Sequence, residues 1–109
     1  MKLPNGPLAI VAIEKLRDYC LSPHHPRGRN KARVFASVGI READAEVLRT
    51  ALLAAARNAE AQPGSVDSYG QRYVIDFDLA HNRRTVRVRS AWIVLTQDHL
   101  PRLTTCYLL

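Results

Sequence analysis

The side chains best equipped for chemistry lie in residues 23–33, Pro-His-His-Pro-Arg-Gly-Arg-Asn-Lys-Ala-Arg. His24, His25, Arg27, Arg29, Lys31 and Arg33 fall within these eleven residues, with no carboxylate among them. Imidazole exchanges protons near neutral pH, and guanidinium grips phosphate through a planar fork of donors. A second run, residues 81–89, holds Arg83, Arg84, Arg87 and Arg89, again with no acid of its own. Half of the 16 Lys and Arg residues sit in these two runs. Phosphate binding beside a proton-transfer group is the chemistry they spell.

Each residue also has a plainer reading. His24 and His25 are adjacent and point in different directions, so they cannot form the i, i+4 pair of a helical metal site. No Cys-x-x-Cys, no His-Glu-x-x-His and no carboxylate cluster accompanies them. General acid–base work suits them better than metal binding, and solvated loop histidines are the alternative. Lys31 could present a concentrated charge to a scissile phosphate, or simply lie on a solvated helix face. Arg87 and Arg89, two apart on a strand, share a face. They make either a phosphate cradle or cross-strand ion pairs with Asp76 and Asp78. Thr105 and Tyr107 share a face of the last strand, where a hydroxyl and a phenol could orient a nucleotide, although both residue types are ordinary in strands.

The elements that must position these groups follow from periodicity. Pro7 opens a first helix over residues 7–21. Pro23 and Pro26 end it and hold the two histidines in an extended or turn segment. Asn30 caps a short helix over residues 30–37, and a third helix runs over 42–59 with Glu42, Asp44 and Glu46 at its dipole-favoured start. Pro63, Gly64, Ser65 and Asp67 read as a polar loop. From Tyr69 onwards the period is two: Tyr73, Ile75, Phe77 and Leu79 alternate with polar neighbours in a first strand. A turn at His81-Asn82-Arg83-Arg84 leads to a long strand over 85–96, centred on Trp92, and a last strand covers 102–108. The expected fold is α+β, with two long helices and one short one packed on a C-terminal antiparallel sheet of three to four strands, all in a single domain over residues 1–109.

Composition narrows the partners. The net charge of +6 favours an acidic partner such as nucleic acid or an acidic protein. Cys20 and Cys106 are the two cysteines, and both sit in apolar contexts. Without a signal peptide ahead of them they predict small buried residues in a reducing cytoplasm rather than a disulfide framework. No apolar run is long enough to span a bilayer, so no membrane association is expected.

The strings Lys2-Leu3-Pro4-Asn5, Lys15-Leu16-Arg17-Asp18-Tyr19, His25-Pro26-Arg27-Gly28, Lys31-Ala32-Arg33-Val34-Phe35, Tyr69-Gly70-Gln71-Arg72-Tyr73, Arg89-Ser90-Ala91-Trp92-Ile93 and Pro101-Arg102-Leu103-Thr104-Thr105 run through nearly the whole chain. In them the sequence resembles a bacterial domain family of unknown function, found as stand-alone chains or as the tips of larger secreted proteins. The order of elements, with Thr-x-Tyr in the last strand, is similar to the barnase, EndoU, colicin and RelE superfamily of toxin ribonucleases. That resemblance implies a RelE- or barnase-like fold and cleavage of RNA by its own 2′-hydroxyl, without metal or cofactor. It implies a nearby-encoded, small acidic antitoxin-like protein as partner. Carried onto this chain, His25 is the acid or base, Lys31 stabilises charge, Arg89 binds phosphate, and Thr105 and Tyr107 position substrate. His24, Arg27, Arg29, Arg33 and Arg87 would bind the rest of the RNA. Leu108 stands where toxin members often carry proline, and shared fold alone does not fix which residues act. Two other functions fit the same charges: a non-catalytic nucleic-acid-binding module, and an antitoxin or immunity-type protein.

Overall fold

Helices occupy the first half of the chain and strands the second, as the change of period predicts. The computed structural model describes residues 1–109. Helix α1 (Ile13–Lys15) passes directly into a π-helical turn (Leu16–Cys20), α2 spans Arg29–Ser37 and α3 Ala45–Asn58, with 3-10 turns at Gly6–Leu8 and Glu42–Asp44. Strands β1 (Gln62–Val66), β2 (Gly70–His81), β3 (Arg84–Leu95) and β4 (Pro101–Leu108) form one antiparallel sheet in the order β1-β2-β3-β4. This is the expected α+β fold. No helix is long and apolar enough to cross a membrane.

Two elements differ from expectation. The first helix is broken because Ile10 pairs with the edge of β4: its N–H donates to the Pro101 carbonyl at 2.9 Å, and its own carbonyl accepts from Leu103 at 3.1 Å. Those bonds cover part of a strand edge that would otherwise be open, and they outweigh the helical pattern of the side chains. The polar segment at Pro63 and Gly64 is strand rather than loop. It is an edge strand exposed along its whole length, so no alternation marks it.

The core lies between the helices and one face of the sheet. Tyr73, Ile75, Phe77 and Leu79 of β2 and Val88 and Trp92 of β3 are buried, against Leu16, Cys20, Phe35, Leu48 and Leu52 from the helical layer. β2 and β3 pair without interruption from Gly70↔Leu95 to His81↔Arg84. Asn82 and Arg83, both with positive φ (51° and 64°), make the two-residue turn that suits a twisted hairpin. Strand β4 carries a bulge: Trp92 faces Leu103 and Ala91 faces Thr105, leaving Thr104 as the extra residue. The bulge turns Leu103 and Cys106 to the same inner face, where both are buried. Strict alternation would have sent Cys106 outward.

The β3–β4 turn is held by Asp98. Its carboxylate accepts from Leu100 N–H at 3.0 Å and from both terminal nitrogens of Arg102 at 3.0 and 2.6 Å. The Arg102 guanidinium, followed by the Leu100 N–H, lowers the Asp98 carboxyl to about 2. A carboxylate with a depressed folded-state pKa contributes stability above its unfolded value, and that contribution is lost as pH falls through the folded one. Asp98→Asn is therefore expected to lower the melting temperature at pH 6. The gap to wild type should shrink as pH falls from about 4 to 2. A gap that stayed constant over that range, by circular dichroism, would contradict this.

Candidate functional site

Residues 23–33 do not act as one surface. Gly28, Lys31 and Phe35 recur at the spacing of one face of α2, while Arg29, Ala32, Arg33 and Ala36 recur on the neighbouring one. Gly28 of the first face meets Tyr19 of the π-helical turn and Lys31 reaches Tyr107 of β4, whereas the second face lines a pocket with Leu21 and Pro23.

On the inner face, Gly28 meets the backbone of Tyr19. A Cβ on residue 28 would lie 2.3 Å from the Tyr19 carbonyl oxygen, a clash between backbones, so only glycine lets the two segments approach this closely. The Tyr19 ring packs edge-on against His25, with centroids 4.5 Å apart, and Lys15 Nζ lies 5.6 Å from the Tyr19 ring centre. Tyr19 is carried by the π-helical turn, a rare form that often marks functional sites. One turn of α2 beyond Gly28, Lys31 Nζ stands 4.9 Å from the centre of the Tyr107 ring. The Arg89 guanidinium is held charged by Asp76 and, more weakly, by the Tyr107 phenol. Lys15, Tyr19 and His25 thus cluster before α2, and Lys31, Tyr107 and Arg89 cluster where α2 meets β4.

His25 and His24 separate cleanly. His24 is exposed, and its backbone N–H donates to Ser22 Oγ at 3.2 Å. His25 is half-buried, and its Nδ1 accepts the backbone N–H groups of Arg27 at 3.1 Å and Gly28 at 3.3 Å. The ring therefore caps the entry to α2, and a neutral ring carries its proton on Nε2. With Nδ1 committed as an acceptor, His25 is placed to donate a hydrogen bond from Nε2 rather than to take a proton.

The arginines of β3 have acids after all, supplied by the neighbouring strand. Arg89 makes a two-pronged pair with Asp76, at 2.8 Å for both bonds, and Arg87 pairs with Asp78 at 3.1 Å. Of the two readings of these arginines, the ion pair is the one realised, and the Asp76 carboxyl is held below its usual range chiefly by Arg89. Arg83 and Arg84 lie at the exposed hairpin tip. His81, at the same tip, stands 3.6 Å from Asp44 of the turn before α3.

Thr105 differs from expectation. Register places it beside Tyr107's face, but its Oγ1 is buried without a well-formed hydrogen bond and sits by the Cys20 thiol. It is not available to position substrate. Cys20 and Cys106 are fully buried and touch one another. The Cys106 thiol is pushed well above its usual value by Cys20 and by burial. Arg27 is exposed just before α2, while Arg29 and Arg33 line a pocket with Leu21, Pro23, Arg41 and Glu42. Lys15 and Tyr19 were not among the residues singled out from the sequence. Their i, i+4 spacing beside the basic run is the signal that could have found them.

The model of a domain of unknown function, DUF6883, matches residues 2–109. The chain belongs to this family. The match spans both clusters, from Lys15 to Tyr107. No curated protein and no solved structure matches the chain.

Proposed function

We propose that this DUF6883 chain is an endoribonuclease that binds RNA where α2 meets β4 and cleaves it without a metal ion. The observation that carries the reading is the convergence of Lys31, Tyr107 and Arg89 one helical turn from the Tyr19–His25 pair. The similarity of the sequence to toxin ribonucleases with a Thr-x-Tyr last strand adds to it. In the proposed step the 2′-oxygen bonds to the adjacent phosphorus and the bond from phosphorus to the 5′-oxygen breaks. A 2′,3′-cyclic phosphate and a 5′-hydroxyl result. The 2′-hydroxyl proton passes to water, and the leaving 5′-oxygen takes a proton from water, because His25 Nδ1 is already an acceptor. The protein's share is electrostatic: Lys31, Lys15 and the His25 Nε2–H face the charge that develops on phosphorus-bound oxygen. The nucleophile belongs to the substrate, so DNA is not cut. With a net charge of +6, a small acidic protein seated over the same cations would act as an antitoxin.

Total RNA incubated with the protein in excess EDTA is expected to yield fragments with cyclic-phosphate ends, while DNA and 2′-O-methyl RNA stay intact. His25→Asn keeps an acceptor for the Arg27 and Gly28 amides but removes the Nε2 donor. It should fold normally and lose most of the cleavage. RNA left intact at high protein concentration, or cleavage abolished by EDTA, would sink the proposal. The ion pairs at Arg87 and Arg89 and the occupied Nδ1 of His25 favour one competing reading, a binding module without catalysis. Steeply salt-dependent RNA binding with no cleavage would establish it.

A further inference from the structure

The outer face of α2 builds a cavity of its own. Arg29, Ala32, Arg33 and Ala36 of α2 line it together with Leu21, Pro23, Arg41 and Glu42, around about 240 Å³. None of the three arginines forms an ion pair anywhere in the molecule, although Glu42 lines the same space. Unpaired guanidinium groups beside apolar side chains define what fits. A purely apolar ligand would bury cations without compensation. A bare anion would leave Leu21, Pro23, Ala32 and Ala36 unused. The volume is slightly below the roughly 300–1,000 Å³ of drug-sized sites, so it admits a single ring and little more.

We propose that this cavity is a nucleotide subsite, taking one unstacked base of single-stranded RNA while Arg29, Arg33 and Arg41 hold the phosphates on either side. The proposal rests on the RNA reading above and adds a second contact point to it. Guanidinium planes stack on bases as readily as they pair with phosphate, so the same arginines can serve both parts of a nucleotide. Glu42 adds selectivity. A carboxylate accepts hydrogen bonds from an exocyclic amine but meets only a single N–H between two carbonyl oxygens on uracil, so amino-bearing bases are preferred. The subsite lies across the width of α2 from Lys31, about 10 Å, which a strand covers in roughly three stacked nucleotides. The bound base thus sits apart from Lys31 and Tyr107 and sets register rather than taking part in bond breaking.

Binding is measured with 2′-O-methyl hexamers of adenosine or uridine, which cannot be cleaved, so the readout does not depend on catalysis. Arg33→Ala/Arg41→Ala, both at exposed positions, is expected to weaken adenosine-hexamer binding at least tenfold. The slope of log K against log salt should fall by about 1.4, the value for two lost phosphate contacts. Ala36→Trp, which fills the cavity, should weaken it at least fivefold, and circular dichroism checks its fold. Glu42→Ala removes a negative charge and should tighten both hexamers, while the preference for adenosine disappears. Wild-type affinity in both the double arginine variant and the filled variant would overturn the subsite. So would tighter binding of a polyglutamate peptide than of either hexamer, since the occupant would then be an acidic protein. If those variants behave as wild type while the protein still cuts RNA, the subsite alone fails. If they lose hexamer binding and the wild type does not cut unmodified RNA, the nuclease reading alone fails.

Discussion

Replacing Lys31 by alanine is expected to slow RNA cleavage about 10²–10³-fold, the usual cost of removing one preorganised group that stabilises developing charge. Its position makes it the cation best suited to that task. Arg89, the nearest alternative, spends two of its three guanidinium nitrogens on Asp76, whereas Lys31 has no carboxylate partner and only the Tyr107 ring beneath it. An ammonium over an aromatic face keeps its full charge while being oriented by the ring, and the contact itself contributes only about 0.5–1 kcal/mol when exposed. The variant should therefore melt within a few degrees of wild type. Lys31→Arg should recover part of the rate, because the charge returns on a differently shaped group. Initial rates on a fluorescent RNA substrate, together with melting curves, decide the matter. Full activity in the alanine variant would remove Lys31 from the site, and a large loss of stability would make its effect structural.

The largest stability effect is expected at Trp92. The side chain is wholly buried at the centre of β3, between Tyr73 of β2 and Leu103 of β4. Its indole N–H donates to Ser90 Oγ at 2.9 Å, and that hydroxyl donates in turn to the Ile75 carbonyl at 2.8 Å. Trp92→Ala removes the packing and leaves a cavity, at a cost of about 3–5 kcal/mol. Against a total stability of about 5–15 kcal/mol for an ordinary domain, that brings the chain close to unfolding at room temperature. Ser90→Ala tests the hydrogen-bond relay separately: it orphans a buried indole N–H and should cost about 1–3 kcal/mol. Ser90→Ala combined with Trp92→Phe removes both partners and should cost less than the two changes summed. Urea midpoints of the wild type, Ser90→Ala, Trp92→Phe and the double variant close the cycle, and strict additivity would show that the relay contributes nothing.

Much of the architecture was legible as pattern. The alternation of Tyr73, Ile75, Phe77 and Leu79 is what a strand with one covered face requires, and those four side chains are buried. Short-range signals also marked α2 and α3 to within a few residues. The failures share a cause. The first helix breaks because Ile10 bonds to β4, about ninety residues away. Strand β1 went unread because an exposed edge has no buried face to impose alternation. The bulge at Thr104 decides that Cys106 rather than Thr105 faces the core, and β-propensity does not encode it.

The candidate site divides along the same line. Side-chain types, their charge and their one-dimensional clustering drew attention to His25, Lys31 and Tyr107 as carriers of the proposed phosphate chemistry, because composition and local spacing are properties of the chain before it folds. Only the packed sheet could bring Asp76 and Asp78 against Arg89 and Arg87, turn Thr105 Oγ1 inward, fix His25 Nδ1 as an acceptor, and split residues 23–33 between two faces of α2. Each of those outcomes depends on a neighbour distant in sequence or on the direction a helix faces. Charge is carried by single residues, but whether a charge is free or already paired is decided by what the fold places beside it.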